Sequence, residues 1–341
     1  MINKNTVKIL AVLTVIIFNC GYVYAVADPE YIQNYRDKLS VKTFFSRSFT
    51  ALNYSESGAG DYRYRPNIPI AFGAGVSWGG ITLTGSFGLD FLKNKDRGNT
   101  DFIDFQGYYF KRRLVLSFFI QQFKGVYYEK DIGKNILRPD IEVTRAGGYL
   151  EYIFNGNKFS YSSAFNQKEK QLRSSGSFLL GVGLYNDKVR SGKSFIPLST
   201  EADSVKISVL QFGPSIGYVH NFIIKKHFFI SGSLSVGANF AFGIADSKRL
   251  DMEVFPMLLP KAAAGYSKEN WGISLTFVDN EVSILDDGRH KMSLSSGRYM
   301  LTYSMRFNFD PDMPRKYKRI FFRNPDGDKI IETVPVKPWE Q

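Results

Sequence analysis

Five charged residues lie where the alternation of the sequence would point a side chain to the polar side of a strand. They are Asp90, Asp104, Arg145, Glu151 and Arg306. In a β-barrel, charges that point into the lumen either pair and plug it or line a pathway for solutes. Arg145 and Glu151 are six residues apart on one strand, about 20 Å, so each needs a partner on another strand. We therefore predict a polar network that plugs the lumen, with a solute pathway as the alternative.

Other kinds of reactive site are not indicated. None of the three histidines has a second ligand at a spacing typical of metal sites. Ser231 and Ser233 lie inside a strand pattern, not in the strand–turn–helix of a nucleophile elbow. The segment 73–78 lacks the third glycine of a dinucleotide-binding fingerprint. The sequence thus predicts no catalytic residue, no cofactor and no metal site.

The clearest structural element is the segment 228–242. Its even positions are mostly Phe, Ile, Leu and Val, whereas its odd positions are mostly serine, glycine and asparagine. Side chains alternate between the two faces of a strand, so this strand has one apolar face and one small, polar face. A soluble sandwich would usually carry charges on its open face. The pattern is typical of a membrane-spanning barrel, with lipid outside, a polar lumen inside and aromatic residues at both interfaces.

The composition supports a barrel over a helical membrane protein. Aromatic residues make up 16% of the chain and the mean hydropathy is only −0.19. Beyond the first residues, no apolar run reaches the roughly 18–20 residues that a spanning helix needs. A closed barrel is the other structure that satisfies every backbone group in lipid.

Thirteen segments alternate in this way. They are 39–49, 68–78, 81–91, 103–109, 114–120, 146–154, 159–165, 178–184, 210–218, 228–242, 258–266, 271–277 and 299–309. Bacterial barrels have an even number of strands, with short turns on one side and long loops on the other. Either the first strand, weakened by Arg47, lies outside the wall, or a strand is hidden near 186–204. We predict an all-β, antiparallel transmembrane β-barrel of about twelve strands, with ten and fourteen as alternatives.

The beginning of the chain is typical of a secretory signal peptide. Lys4 and Lys8 precede an apolar stretch over 9–18, and small residues near position 27 provide a cleavage site. The only cysteine, Cys20, lies in this leader, so we expect no disulfide in the mature chain. Residues 1–27 are predicted to be a cleaved signal peptide that exports the protein. Together with the barrel pattern, this export predicts the outer membrane of a Gram-negative bacterium as the location.

The parts that flank the barrel have patterns of their own. Asp28 and Pro29 are a good N-cap and first residue for a short helix, so we expect a periplasmic helical segment over 28–38. The barrel is predicted to occupy 39–309. The proline-rich segment 310–341, which contains a basic cluster, is predicted to be an irregular periplasmic tail that is either a simple extension or a docking segment for a periplasmic partner.

The formal net charge is +12, which limits the choice of partners. For an exported barrel, anionic outer-membrane lipids and lipopolysaccharide are the expected partners of loop lysines and arginines, and nucleic acid is not. The alternative is that these are solvated loop charges without a specific ligand. The last alternating strand, ending at Phe309, is similar to the signal that the barrel-insertion machinery recognises, so that machinery is an expected partner during biogenesis.

Several segments together resemble an uncharacterised family of outer-membrane barrel proteins from Bacteroidota-type bacteria, a domain of unknown function. The similarity rests on 31–42, 66–67, 73–78, 104–106, 138–140 and 171–181, and it extends from about Tyr31 to Phe309. The resemblance implies an exported barrel. It implies no activity and no site residues.

Three functions are compatible with these observations. The first is a non-catalytic outer-membrane barrel that serves in small-solute passage, envelope structure or surface interaction. The second is a barrel enzyme that modifies lipid or lipopolysaccharide. The third is a soluble secreted β-sandwich that binds glycans. We expect the first of these.

Overall fold

The structure is a computed structural model that describes residues 27–35, 37–131, 134–197, 204–245, 248–249, 251–286 and 288–309. The predicted signal peptide, apart from its last residue, and the predicted tail over 310–341 lie outside the described residues. The proposed division of the chain into leader, periplasmic segment, barrel and tail therefore stays a prediction.

The described chain is almost entirely β-structure. The strands are β1 (Ile32–Asn34), β2 (Lys38–Ser48), β3 (Ala51–Glu56), β4 (Gly60–Arg65), β5 (Ala71–Trp78), β6 (Ile81–Gly88), β7 (Asp101–Phe110), β8 (Leu114–Asp131), β9 (Lys134–Ile153), β10 (Glu169–Gln171), β11 (Ser175–Ser191), β12 (Val205–Ile224), β13 (Phe228–Ala245), β14 (Lys248–Arg249), β15 (Glu253–Ser267), β16 (Trp271–Asp286) and β17 (His290–Asn308). There is also one short α-helix, α1 (Tyr161–Phe165). Two 3-10 turns lie between β6 and β7.

Twelve of these strands form a closed antiparallel ring: β2, β5 to β9, β11 to β13 and β15 to β17. The ring closes where β17 pairs with β2 from Arg298↔Ser48 to Asn308↔Lys38. The predicted antiparallel barrel of twelve strands is confirmed. The first predicted strand is part of the wall in spite of Arg47, because it pairs with both β17 and β5.

The alternation along β13 separates the two faces of the wall. Phe228 and Ile230 are 50% and 52% exposed, whereas Ser231 and Ser233 are 2% and 7% exposed. The outer surface of the other strands is similarly rich in exposed Phe, Leu, Ile and Val. A continuous apolar outer face would be costly in water, whereas in a bilayer it contacts acyl chains. The fold is therefore a transmembrane barrel.

The prediction of a strand at 159–165 is wrong, because Tyr161–Phe165 forms helix α1. Without this segment, the number of predicted strands falls from thirteen to twelve. The Ser160 side chain accepts a hydrogen bond from the N–H of Ser163 (2.9 Å) and caps helix α1 inside the lumen. The chain then passes through Gln167, whose φ is +54°, into β10. We call residues 155–174 the plug. None of the helices in the described part of the chain is long and apolar enough to cross a bilayer.

The expected helix over 28–38 is also wrong. The N–H groups of Tyr31 and Ile32 both bond to the carbonyl of Asp28, which forms a single turn. Ile32–Asn34 then forms β1 and pairs with β10 of the plug. The capping residues Asp28 and Pro29 correctly predict the turn. The chain does not continue as a helix because its backbone pairs with β10 from Ile32 onwards.

The two ends of the barrel differ. At one end, which we call the plug end, the strands are joined by short turns, and the plug and β1 lie across the lumen. At the other end, the hairpin end, β17 pairs with β3 instead of β2, and β4 pairs with β8 through Tyr64↔Tyr128. The hairpin β3–β4 thus replaces β2, β5, β6 and β7 in the wall, since those strands stop earlier.

One seam of the wall is open over half its length. β15 pairs with β16 only from Lys261↔Val278 to Ser267↔Gly272. The first half of β15 pairs only with β13. The missing pairing with β16 is a feature of the wall, because every residue of both strands is described. Pro256 and Pro260 lie in this half, and proline has no N–H to donate to a neighbouring strand. We call the gap between the first half of β15 and the second half of β16 the fork.

Candidate functional site

A cavity of about 250 Å³ lies in the middle of the lumen, and we call it the chamber. Five charged side chains line it: Lys42, Asp104, Arg145, Lys261 and Arg298. Aromatic rings from the wall and from α1 form much of the remaining surface. The chamber brings charged, polar and aromatic side chains together around an open volume, so it is the candidate site.

The hairpin end of the chamber is closed by an apolar core. Leu52, Phe123 and Leu294 are among the buried residues of this core, which also takes in Phe195 from the loop after β11. Arg138, only 1% exposed, holds that loop by donating to the carbonyls of Ser194 (2.9 Å) and Lys193 (3.2 Å). The loop is therefore folded into the lumen and pinned there by a buried guanidinium group.

The plug end is closed by the plug, and wall side chains bind its backbone. The guanidinium of Arg306 donates to the carbonyl of Gln167 from Nε (3.0 Å) and from Nη2 (2.6 Å). Lys42 donates to the backbone and side-chain oxygens of Asn166. The Asn166 amide in turn donates to Thr82 Oγ1 (2.8 Å). These contacts fix the segment after α1 against three different wall strands.

An ion pair secures the returning part of the plug. Glu169 is buried and accepts from Arg112 of the wall turn and from the hydroxyl of Ser160. The base of the plug is apolar instead, since Phe159 is fully buried among wall residues. The plug thus has an apolar base and a polar tip.

The structure places four of the five predicted lumen residues on the inside of the wall. Asp104 pairs with Arg298, Arg145 Nε with Asp187 Oδ1 (2.8 Å), and Glu151 Oε2 with Lys261 Nζ (3.4 Å). Arg306 binds the plug, as described above. Asp104 and Arg145 line the chamber, whereas Glu151 lies behind Lys261 and Arg306 lies below at the plug. The four residues are therefore not one cluster.

The prediction that Asp90 points into the lumen is wrong. β6 ends at Gly88, and Asp90 begins a 3-10 turn with an exposed side chain that pairs with Lys93 (2.6 Å). The reason is that the N–H of Leu89 bonds to the carbonyl of Ile70, so the chain leaves the ladder before Asp90. The alternation of the sequence continues for a few residues beyond the strand.

The prediction missed the partners of these charges. Asp187 lies three residues after the predicted segment 178–184, at a position whose side chain points inward if the strand continues. The strand does continue, because β11 extends to Ser191. Lys261 lies in the predicted strand 258–266, again with the inward phase. The signal for both was present, because each is a charge at an inward position of an alternating segment.

Positive charge exceeds negative charge around the chamber. Each of Arg145, Lys261 and Arg298 has a carboxylate partner. Among the described residues, no carboxylate pairs with Lys42, which is 4% exposed and bound only by oxygens of Asn166. A buried ammonium group without an anionic partner is costly, so an additional negative group at the chamber would stabilise the charged form of Lys42.

Several buried polar atoms at the chamber have no hydrogen-bond partner in the described part of the chain. They include Arg145 Nη2, Thr302 Oγ1 and Ser304 Oγ. The Tyr161 hydroxyl of α1 is not among them, because it accepts a hydrogen bond from Lys261 (2.7 Å) and lies next to Glu151, which with burial raises its pKa well above the usual range. The unpartnered groups are therefore wall side chains buried beside the chamber.

The described residues include no group of three or more His, Cys, Asp or Glu side chains arranged to hold a metal ion. His227 instead lies 3.1 Å from the ammonium of Lys170, at the mouth of the plug end.

Comparisons with known proteins place the chain in a family. No curated protein matches the sequence. The toluene transporter TodX of P. putida is 8% identical, with a TM-score of 0.25 over 80% of this chain and 91% of its own. An outer-membrane channel from Pseudomonas putida F1 is 11% identical, with a TM-score of 0.35 over 83% and 100%. The β-domain of the Bordetella autotransporter BrkA is 10% identical, with a TM-score of 0.34 over 80% and 99%. At these scores the matches carry no conclusion about function. The sequence matches the family described as a domain of unknown function, DUF4421, over residues 26–307, so the chain belongs to this family, as the resemblance implied.

Proposed function

We propose that this protein is a gated passage for small solutes in the outer membrane of a Gram-negative bacterium, with the plug as its gate. The observation that carries the proposal is the chamber, an open volume of about 250 Å³ held between two internal closures. A purely structural barrel has no need of such a volume. A side-chain network that only fills a lumen would leave few voids larger than a water molecule.

The size of the barrel supports this proposal. Eight strands enclose an interior that side chains can fill, and the diameter grows with strand number. A ring of twelve strands leaves room that this protein fills with an inserted segment instead. A segment joined to the wall by flanking chain is able to move without breaking the ring.

The plug is built so that its tip can move while its base stays in place. Phe159 at the base is buried in an apolar cluster, and that contact is insensitive to the solute. The tip is held by polar contacts from Arg306, Lys42 and Arg112, which a polar solute or water can replace. Gln167, with its left-handed backbone, lies at the tip where the chain reverses. We propose that displacement of residues 161–171 opens the plug end.

The orientation follows from the turns. Outer-membrane barrels have short turns on the periplasmic side and longer loops outside. The plug end has the short turns between β5 and β6, β7 and β8, and β12 and β13. We therefore propose that the plug faces the periplasm and that the hairpin β3–β4 faces the outside.

Removal of the plug tests the proposal. The Nδ2 of Asn155 lies 3.3 Å from Ser175 Oγ, so the two ends of the plug are close, and two glycines in place of residues 157–174 would join them. Because an apolar core also closes the hairpin end, the shortened protein additionally carries Arg138→Gln, which removes the guanidinium that pins the loop after β11. We expect this shortened protein to conduct ions in planar bilayers and to let small sugars swell proteoliposomes, and we expect the intact protein to do so only in brief openings.

The control is Arg173→Gln, which changes an exposed plug residue and leaves the plug in place. A shortened protein that is folded, as judged by heat-modifiable gel mobility, and that stays impermeable would refute the proposed passage. Folding must be checked in this way because the deletion also removes the buried Phe159.

A further inference from the structure

We infer that the chamber binds small organic anions with an apolar, preferably aromatic, body. The physiological meaning of this binding rests on the proposed function, because it names the solute class that the passage would carry. The binding itself is a property of the folded barrel and can be measured without any transport.

The first argument is the charge balance at the chamber. Lys42 is 4% exposed, lines the cavity and has only amide oxygens of Asn166 as partners among the described residues. The nearby pairs Arg145–Asp187 and Arg298–Asp104 are each neutral as a unit. Lys42 is thus the lysine of the chamber wall that lacks a carboxylate partner among the described residues. A carboxylate in the chamber would supply that partner and stabilise the ammonium form of Lys42, whereas a second ammonium group would repel it.

The second argument is an unused donor. Arg145 is 2% exposed and lines the chamber, and its Nε is engaged by Asp187, whereas its Nη2 has no hydrogen-bond partner in the described structure. A buried guanidinium N–H without an acceptor costs free energy. Because this Nη2 is itself fully buried, the Arg145 side chain would turn towards a bound oxyanion to donate to it, and that bond would remove the cost. The hydroxyls of Thr302 and Ser304, also without partners, lie on β17 at the same cavity.

The third argument concerns the body of the solute. Tyr108, Phe119, Tyr149, Phe165 and Tyr185 all line the chamber. Flat rings favour a flat apolar partner by offset stacking or edge contacts. For size, an engineered cavity of about 150 Å³ in another protein accepts benzene. A chamber of about 250 Å³ therefore accommodates one substituted ring.

The lining of the chamber extends to the fork. Leu259 and Lys261 on β15, and Val278 and Asn280 on β16, line the chamber where pairing of the two strands ends. This point is the base of the fork. Exposed apolar residues of β15, such as Leu258, flank the fork on one side, and Asp279 and Glu281 of β16 flank it on the other. An amphipathic solute is able to approach along such a mixed edge.

The test uses three compounds of similar shape and different charge: benzoate, benzamide and benzylamine. Isothermal titration calorimetry with the purified full-length barrel in detergent measures their binding at equilibrium after long incubation. We expect benzoate to bind at least about tenfold more tightly than benzamide, since a hydrogen bond to a charged group is stronger than one between neutral groups. We expect benzylamine not to bind. Equal affinity for all three compounds, or no benzoate binding, would overturn the inference from the wild-type protein alone.

Variants then locate the site. Lys42→Gln removes the charge and keeps a donor for Asn166, and we expect at least about tenfold weaker benzoate binding. Lys42→Arg keeps the charge and is expected to keep most of the affinity. The double variant Arg145→Gln/Asp187→Asn removes the unused guanidinium donor without leaving a buried carboxylate unpaired, and should also weaken binding.

The matched control is Arg289→Gln, which removes the same unit of charge from an exposed loop position. Benzoate binding that is weakened as much by Arg289→Gln as by Lys42→Gln would show a general charge effect and refute the chamber as the site. The outcomes separate the two proposals. Benzoate binding without passage through the plug-deleted barrel would refute the proposed function alone, and passage without preference for anions would refute this inference alone.

Discussion

Arg306 is the wall residue whose removal should loosen the plug most directly. Its guanidinium makes two hydrogen bonds to the carbonyl of Gln167, at 3.0 and 2.6 Å, and its other bonds go to Ser267, Lys268 and Glu269 at the end of β15 and in the wall turn that follows. Of the hydrogen bonds that the Arg306 guanidinium makes, only the two to Gln167 join the wall to the plug. A hydrogen bond to a charged group contributes about 1.5–3 kcal/mol, so we assign about 2 kcal/mol to this bidentate contact. Arg306→Met keeps an unbranched side chain and removes all donors.

A change of about 2 kcal/mol multiplies the opening equilibrium of the plug by about 30. Hydrogen exchange of the intact barrel, read by mass spectrometry on peptides covering 161–172, measures that equilibrium through amides such as those of Asn166 and Leu172, which bond to Ser162 and Tyr31. Exchange there should accelerate by one to two orders of magnitude. The wall strands should keep their protection.

The control is Arg173→Gln. Arg173 pairs with Glu30 at 3.1 Å, but both side chains are more than half exposed, so this pair contributes about 0–1 kcal/mol. Exchange of the plug should change little. The reasoning is refuted if Arg306→Met leaves the plug peptides as slow as in the wild type, or if every strand accelerates equally, because the second result would show loss of the whole barrel instead of opening of the plug.

Two further predictions concern stability. Gly73→Ala would place a methyl group 2.1 Å from the ring of Phe44, and overpacking of this kind costs about 1–3 kcal/mol. The control is Gly85→Ala on the adjacent strand, whose methyl group meets no atom within 4 Å. The temperature at which the gel mobility of the barrel changes should fall for Gly73→Ala and stay the same for Gly85→Ala. Burial raises the pKa of the Tyr35 hydroxyl to about 12 even though Arg306 beside it acts in the opposite direction. A raised pKa contributes stability that is present below about pH 10, where an unfolded tyrosine ionises, and is lost towards pH 12. Denaturant unfolding in detergent should show this loss in the wild type, and Tyr35→Phe should reduce it.

Alternation was sufficient to predict the wall of the barrel, because lipid outside and a polar lumen inside impose the same two-residue period on every strand. It was not sufficient for 159–165, where Phe159, Tyr161 and Phe165 also follow a two-residue period. Those residues face the lumen from a segment inside it, with Phe159 and Tyr161 buried against the wall. Periodicity reports that one face is apolar, and it does not distinguish a lipid contact from a contact inside the barrel.

The candidate site was predicted in part for a related reason. The inward positions of Asp104, Arg145 and Glu151 follow from strand phase alone, and so does the need for partners on other strands. The identity of those partners depends on register between strands far apart in sequence, such as Glu151 with Lys261. No local pattern encodes that register. The plug contacts of Lys42 and Arg306 required knowledge that a segment enters the lumen at all.

Because the hairpin β3–β4 replaces four wall strands, the barrel is narrower at the hairpin end, which we call the neck, than in the remaining part, which we call the body. Ten strands surround the neck and twelve surround the body. Since circumference follows strand number, the neck is about one sixth narrower than the body. A narrower circumference needs fewer side chains to fill its interior, so the core around Leu52 and Leu294 is able to close the neck. The wider body keeps an open volume with the same kind of wall.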